Sequence, residues 1–139
     1  MSDRPGFFET LLAKPAKPLS RLARFTSAQG IFYMAMGGAM IFSPAELLTT
    51  LNGISPDGQG LFRVVGFTLS IIGWFYFIGG RTGATSFGLA TVADRVVVPF
   101  AAAGFVLAGQ ATLQTVLPFA ILDPLLAFVA WRIWRTDGE

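Results

Sequence analysis

The sequence contains no cysteine and no histidine among its 139 residues. Without cysteine there are no disulfides and no thiolate chemistry, and without both residues the usual ligands of zinc and haem are missing. Histidine is also the side chain that most often acts as acid or base near neutral pH. These absences predict a protein without a cofactor or metal site, and they argue against an enzyme.

Charged residues are scarce as well, at 13% of the chain, whereas 53% of its residues are hydrophobic. Soluble domains carry about a quarter charged residues. The net charge of +2 is too small to indicate a nucleic-acid partner. The composition therefore predicts an all-α, polytopic membrane protein whose surroundings are the lipid bilayer.

Four apolar segments have about the 17 to 25 residues that a membrane-spanning helix needs. They cover residues 26–42, 60–79, 87–108 and 111–134, and the fourth could end earlier, at residue 131. The start of the third is ambiguous, because Asp94 and Arg95 lie near it. We predict one four-helix transmembrane domain over residues 25–135, followed by a short polar tail over residues 136–139.

Residues 1–24 form a basic tail whose apolar residues suit short helices on the membrane surface. Lys14, Lys17, Arg21 and Arg24 are its candidate headgroup contacts. The alternative is a tail that docks on a partner or regulates the protein.

Basic residues also predict the orientation in the membrane. The segment 43–59 between the first two spans has none, whereas Arg132 and Arg135 follow the last span. Both termini are therefore predicted to be cytoplasmic, in a bacterial inner membrane.

Small residues recur at the spacing that lets membrane helices pack closely. In the second span they are Gly66, Ser70 and Gly73, and in the third they are Gly104 and Ala108. Both sets are predicted to lie at helix–helix contacts.

Four ionisable residues lie within the predicted spans: Arg63, Asp94, Arg95 and Asp123. Each costs about 2.5 to 3.5 kcal/mol at the centre of a membrane helix, so a partner or a function is expected. If the third helix begins near residue 86, Arg95 and Asp123 share a depth and can pair. If it begins at residue 96, Asp123 needs another partner, and Arg63 is the second choice.

Asp123 is followed by Pro124, and Pro118 lies six residues earlier. A proline inside a helix removes a backbone donor and kinks or breaks the helix. Asp before Pro is also typical of a helix start. The fourth span is therefore predicted to be either a kinked helix or two half-helices that meet at Asp123.

One stretch, RVVGFTLSIIGWFY, resembles a pattern in small bacterial four-helix membrane proteins of the DoxX-like type. The residues that carry the resemblance are Arg63, Gly66, Gly73 and Tyr76, together with Arg95 and Asp123. It covers about residues 30 to 134 and implies a four-helix fold, with no settled activity and no catalytic role for any residue.

Two functions remain open from the sequence. The first is a small non-enzymatic membrane protein that supports a larger membrane complex or binds a lipid-like molecule in its bundle. The second is a proton-linked transporter or channel, assembled as a homo-oligomer, that uses Asp123 with Arg63 or Arg95. A membrane enzyme is disfavoured, because the spans offer few acid/base groups.

Overall fold

The computed structural model describes residues 10, 12–15 and 17–137. This part of the chain is helical and contains no strand, as the sequence predicts. The α-helices between residues 21 and 136 are numbered here in chain order. They are α1 (Arg21–Phe42), α2 (Ala45–Asn52), α3 (Gln59–Arg81), α4 (Thr85–Leu107) and α5 (Leu113–Thr136), with a 3-10 helix (Pro56–Gly58) before α3.

Several predictions for the two tails fall outside the described residues. The predicted surface helices of the N-terminal tail rest largely on residues 1–9, 11 and 16, and the C-terminal tail includes residues 138–139. Lys14 and Lys17 are described and exposed to solvent.

Three to four helices of the described chain are long and apolar enough to cross a membrane. The segment Pro56–Arg81, which contains α3, meets this condition, as do α4 and α5. Helix α1 meets it only together with α2, and that pair is bent by 112°. Large apolar side chains cover the outside of the molecule, which is consistent with a multi-pass membrane protein.

The closest helix contact joins α1 to α3 and is made through glycine. A Cβ atom placed on Gly73 would lie 2.6 Å from the carbonyl oxygen of Gly30, and one on Gly66 would lie 2.6 Å from Cβ of Met40. Ser70 lies in the same contact, because a Cβ atom placed on Gly37 of α1 would meet its Oγ. The two backbones are thus too close for a side chain at these glycines.

The other predicted packing pair does not pack within the chain. Gly104 and Ala108 are exposed, and a Cβ atom on Gly104 would meet no atom within 4 Å. Four-residue spacing places two small residues on one helix face, but it does not say which way the face points. The prediction for this pair is therefore corrected: it lies on the outer surface of α4.

Helices α4 and α5 form the second pair, and contacts between the two pairs are fewer. The start of α1 meets the end of α5, where the backbone N–H of Leu22 donates to Oδ2 of Asp137 at 3.0 Å. Gly80 of α3 and Gly88 of α4 also face the first turns of α1. We call this end of the bundle the basic end, because five arginines gather there: Arg21, Arg24, Arg81, Arg132 and Arg135.

At the opposite end, Arg63 binds the last turn of α1. Its guanidinium donates to the carbonyl oxygens of Ile41 and of Ser43, the latter at 3.1 Å. These carbonyls have no helical partner, because α1 ends at Phe42 and the chain turns into α2. The role of Arg63 in the structure is thus to satisfy a helix end.

Candidate functional site

Six polar side chains from all four long helices contact one another, and five of them are buried in the bundle whereas Asp94 is exposed at their edge. We call them the central cluster: Gln29 and Tyr33 of α1, Tyr76 of α3, Asp94 and Arg95 of α4, and Asp123 of α5. Arg95 is 2% exposed, Gln29 is 3% exposed and Asp123 is 8% exposed. Charged and amide groups so deeply buried need partners, since burying them unpaired is costly.

Arg95 lies between two aromatic rings. Its guanidinium carbon is 5.3 Å from the ring centre of Tyr33 and 4.8 Å from that of Tyr76. The two rings are themselves in edge contact, with centres 5.8 Å apart. Nη1 of Arg95 donates to Oε1 of Gln29 at 2.8 Å. A cation over an aromatic ring is stabilised by the ring's negative face, most strongly where water is absent.

Each tyrosine of this pair also donates its hydroxyl to a carboxylate. Tyr33 donates to Oδ1 of Asp123, and Tyr76 donates to Oδ2 of Asp94. The tyrosines therefore connect Arg95 to both carboxylates, because each presents its ring to the guanidinium and its hydroxyl to an aspartate. The cluster joins α4 and α5 to the α1–α3 pair through these contacts.

The predicted Arg95–Asp123 ion pair is not formed directly. Among the described residues the ion pair found joins Nε of Arg21 to Oδ1 of Asp137, at 4.0 Å. The helix start that the pairing requires is present, because α4 begins at Thr85 and holds Arg95 well inside. Tyr33 contacts both residues instead, with its ring against Arg95 and its hydroxyl donating to Asp123. Arg63, the second choice, is at the opposite end of the bundle, bound to α1.

The two prolines do not divide the fourth long helix. Helix α5 runs without interruption through Pro118 and Pro124. The alternative of two half-helices that meet at Asp123 is therefore wrong, and a kinked helix stays a prediction. Prolines are tolerated in membrane helices where neighbouring helices and side chains satisfy the freed backbone groups.

Three buried side-chain nitrogens of the cluster have no hydrogen-bond acceptor among the described residues. They are Nε2 of Gln29 and both Nε and Nη2 of Arg95. Their chemical complement is an oxygen atom with free lone pairs. The cluster thus offers donors to an acceptor while its own two carboxylates are bound to tyrosines.

A groove lies between α4 and α5, beside the cluster. It has a volume of about 470 Å³ and is almost wholly apolar. We call it the α4–α5 groove; it is lined by Val92, Val96, Pro99 and Phe100 of α4 and by Pro124, Ala127, Phe128 and Trp131 of α5. Asp123 directly precedes Pro124, and Arg95 lies about one helical turn from Val92 and from Pro99. The groove opens on the outer surface, where Val96, Phe100 and Phe128 are 49%, 73% and 57% exposed.

Gln29 and Tyr33 were not predicted as site residues. They lie four residues apart on α1, which places them on the same face of the helix. An amide and a phenol on one face of an apolar helix indicate a buried polar contact, and this pattern is visible in the sequence. The pattern identifies the face of α1 that Arg95 contacts.

No family model, curated protein or solved structure matches this chain. Within the described residues, no three Asp or Glu side chains come together in a group that could hold a metal ion. The central cluster and the α4–α5 groove are therefore the two candidate sites in the described part of the chain.

Proposed function

We propose that this chain is a small, non-enzymatic integral membrane protein of four spanning helices that binds a lipid-like molecule in the α4–α5 groove. The observation that carries the proposal is the groove itself, an apolar cleft of about 470 Å³ that opens on the apolar outer surface. In a bilayer such a cleft faces acyl chains, so its natural occupant is a chain of the same chemistry.

The central cluster supports this function by holding the walls of the groove in place. Arg95 lies between groove residues Val92 and Pro99 in the sequence of α4, and it is fixed by two tyrosine rings and Gln29. Asp123 adjoins Pro124 on α5 and is bound by Tyr33. Both walls are thus tied to the α1–α3 pair from the inside, which leaves the outer side free for a ligand.

In this proposal α1 and α2 form the fourth span and its surface extension, with both termini cytoplasmic in a bacterial inner membrane. Helix α1 lies against the whole of α3 through its glycines, so it shares the depth of that helix. The resemblance to DoxX-like proteins and assembly into a larger complex or a homo-oligomer stay predictions. Isolation from mild detergent only as a lone monomer would count against assembly.

The test fills the groove and counts bound lipid. Val96 lines the groove, whereas its neighbour Val97 is 61% exposed and does not. Val96→Phe and Val97→Phe add the same volume to the same helix. We expect native mass spectrometry of the full chain, exchanged into detergent with added phosphatidylcholine, to show a retained lipid in the wild type and in Val97→Phe. Val96→Phe should retain several-fold less, and equal retention by both variants would contradict the proposal.

A second function, proton-linked transport by a homo-oligomer, is favoured by one observation. The cluster holds two carboxylates, Asp94 and Asp123, against one guanidinium, so a proton could balance its charge. Asp123→Asn removes the charge and keeps the shape. If this variant stays folded and loses pH-driven flux that the wild type shows in proteoliposomes, transport replaces lipid binding as the function. Absence of flux in the wild type would reject transport.

A further inference from the structure

One face of α5 runs from the α4–α5 groove to the basic end. Phe128, Trp131 and Arg135 follow one another at spacings of three and four residues, and Arg132 is four residues after Phe128, so all four share this face. The rings of Phe128 and Trp131 are 6.1 Å apart, and the guanidinium carbon of Arg135 is 5.6 Å from the centre of the Trp131 ring. An apolar wall thus continues directly into two positive charges.

The groove begins in the half of the bundle nearest the basic end and extends past the middle of α4. Val92 is seven residues from the start of α4, which corresponds to about 10 Å, and Trp131 is five residues from the end of α5, about 7.5 Å. From Val92 to Phe100 the groove extends for eight residues, about 12 Å. Half of a hydrocarbon core is about 15 Å thick. Phe100 is fifteen residues from the start of α4, about 22 Å, so the groove spans the middle of the bilayer and extends toward the leaflet at the basic end as far as Trp131.

The charges at this end of the groove are available to a ligand. Arg21 is close to Asp137, and Arg81 donates to the carbonyl oxygens of Leu12 and Ala13. Neither Arg132 nor Arg135 has a carboxylate within ion-pair distance among the described residues, and both are exposed. Guanidinium groups bind phosphate oxygens in a bidentate manner, and pairs of them at a membrane surface attract anionic headgroups.

We propose that the α4–α5 groove, Arg132 and Arg135 together hold one anionic phospholipid from the leaflet at the basic end. Its acyl chain lies in the groove against Phe128 and Trp131, and its phosphate is bound by the two arginines. This inference rests on the proposed function and names the ligand class. Trp131 lies at the junction, with its ring against both the apolar wall and Arg135.

Trp131 also provides the measurement. In a background with Trp74→Phe and Trp134→Phe it is the one remaining tryptophan of the chain. The full chain is reconstituted in phosphatidylcholine vesicles that contain increasing fractions of phosphatidylglycerol with brominated acyl chains, which quench tryptophan by contact. The comparison series uses brominated phosphatidylcholine. We expect the anionic lipid to quench Trp131 at about a five- to twenty-fold lower mole fraction, from the attraction of two arginines.

Matched variants identify the headgroup site. Arg132→Gln with Arg135→Gln should remove the preference for the anionic lipid and leave quenching equal in the two series. Lys17→Gln with Arg24→Gln removes the same charge from the same end, at exposed residues on other segments, and should leave the preference unchanged. If both double variants lose the preference for the anionic lipid equally, general surface charge attracts the lipid, and the proposed headgroup site is contradicted.

The outcomes separate this inference from the proposed function. If both brominated lipids quench Trp131 equally and Val96→Phe weakens both while Val97→Phe does not, the groove binds lipid without headgroup selection. That result would support the proposed function and would contradict the headgroup site at Arg132 and Arg135. If Val96→Phe changes neither series, the groove holds no lipid and both proposals fail.

Discussion

Helices α1 and α3 touch through glycine and backbone, whereas α4 and α5 leave a groove of about 470 Å³ on one side. Close backbone contact gives the first pair rigidity, since van der Waals packing drives helix association in lipid. The second pair carries two prolines on α5, one of which, Pro124, lines the groove. Under the proposed function this difference is a division of roles, in which the glycine pair is the scaffold and the open pair binds the ligand.

The strongest test of this division removes the residue that joins the two pairs. Arg95→Met eliminates the contacts of the Arg95 guanidinium with Tyr33, Tyr76 and Gln29. It also leaves buried Asp123 without a nearby positive charge. We expect a loss of about 3 to 5 kcal/mol in the free energy of unfolding, measured by denaturant titration in mixed micelles. Arg24→Met, at an exposed site, should cost little, and equal losses for the two would mean that the cluster does not hold the pairs together.

A second test compares the two pairs directly. Gly73→Leu forces a side chain against the backbone of α1, where Gly30 and Met34 already lie within 2.6 Å of the added Cβ position. We expect a destabilisation of about 2 to 3 kcal/mol. Gly104→Leu makes the same substitution on the outer face of α4 and should stay within about 0.5 kcal/mol of wild type. Thermal unfolding in detergent measures both, and a large effect of Gly104→Leu would indicate that this face is a contact between chains.

The two tyrosines allow a finer comparison. Tyr33→Phe leaves the carboxylate of buried Asp123 without its hydrogen bond, which we expect to cost about 1 to 3 kcal/mol. Tyr76→Phe does the same to Asp94, but that residue is exposed, so the loss should be smaller. The same unfolding assay ranks the two variants. Equal losses would show that Asp94 is as poorly solvated as Asp123.

The smallest effect is expected at the basic end, where Asp137 binds the start of α1. Asp137→Ala removes the acceptor for the backbone N–H of Leu22 and should cost about 1 kcal/mol, as loss of a helix cap does. Ser20→Ala removes the cap on Ala23 and should cost about the same. Arg21→Gln should cost less than either, because its ion pair is exposed and 4.0 Å long. A larger loss for Arg21→Gln would make the ion pair the important contact.

Much of the fold followed from segment length and apolar content. Helices α3, α4 and α5 begin and end within a few residues of the predicted spans. Helix α1 begins at Arg21, five residues before the predicted span, because Ser20 and Asp137 satisfy the N–H groups of its first turn. Hydropathy carries no information about such capping, so the predicted start of the first span, at residue 26, lies inside the helix.

The site was less accessible from the sequence. The sequence pattern predicted a direct pair of Arg95 and Asp123, whereas in the structure Tyr33 contacts both of them, which segment lengths could not predict. Helix α5 continues through Pro124, as membrane helices with a proline do when they pack against other helices, and a single segment cannot reveal that packing. Gly30 of α1 was not predicted as a packing residue, since it became informative only once its partner Gly73 was known.

The polar face of α1 has a consequence for how the chain is made. Helix α1 buries Thr26, Gln29 and Tyr33 and is the least apolar of the four long helices. Its glycine surface packs against α3, which is synthesised later. The carbonyl oxygen of Ile41 at its end accepts a hydrogen bond from Arg63 of that helix. We therefore expect the first helix to leave the translocation machinery late, held at the membrane surface until α3 emerges. The protein would then insert α1 and α3 into the membrane as a pair, and α1 would enter only once α3 is present.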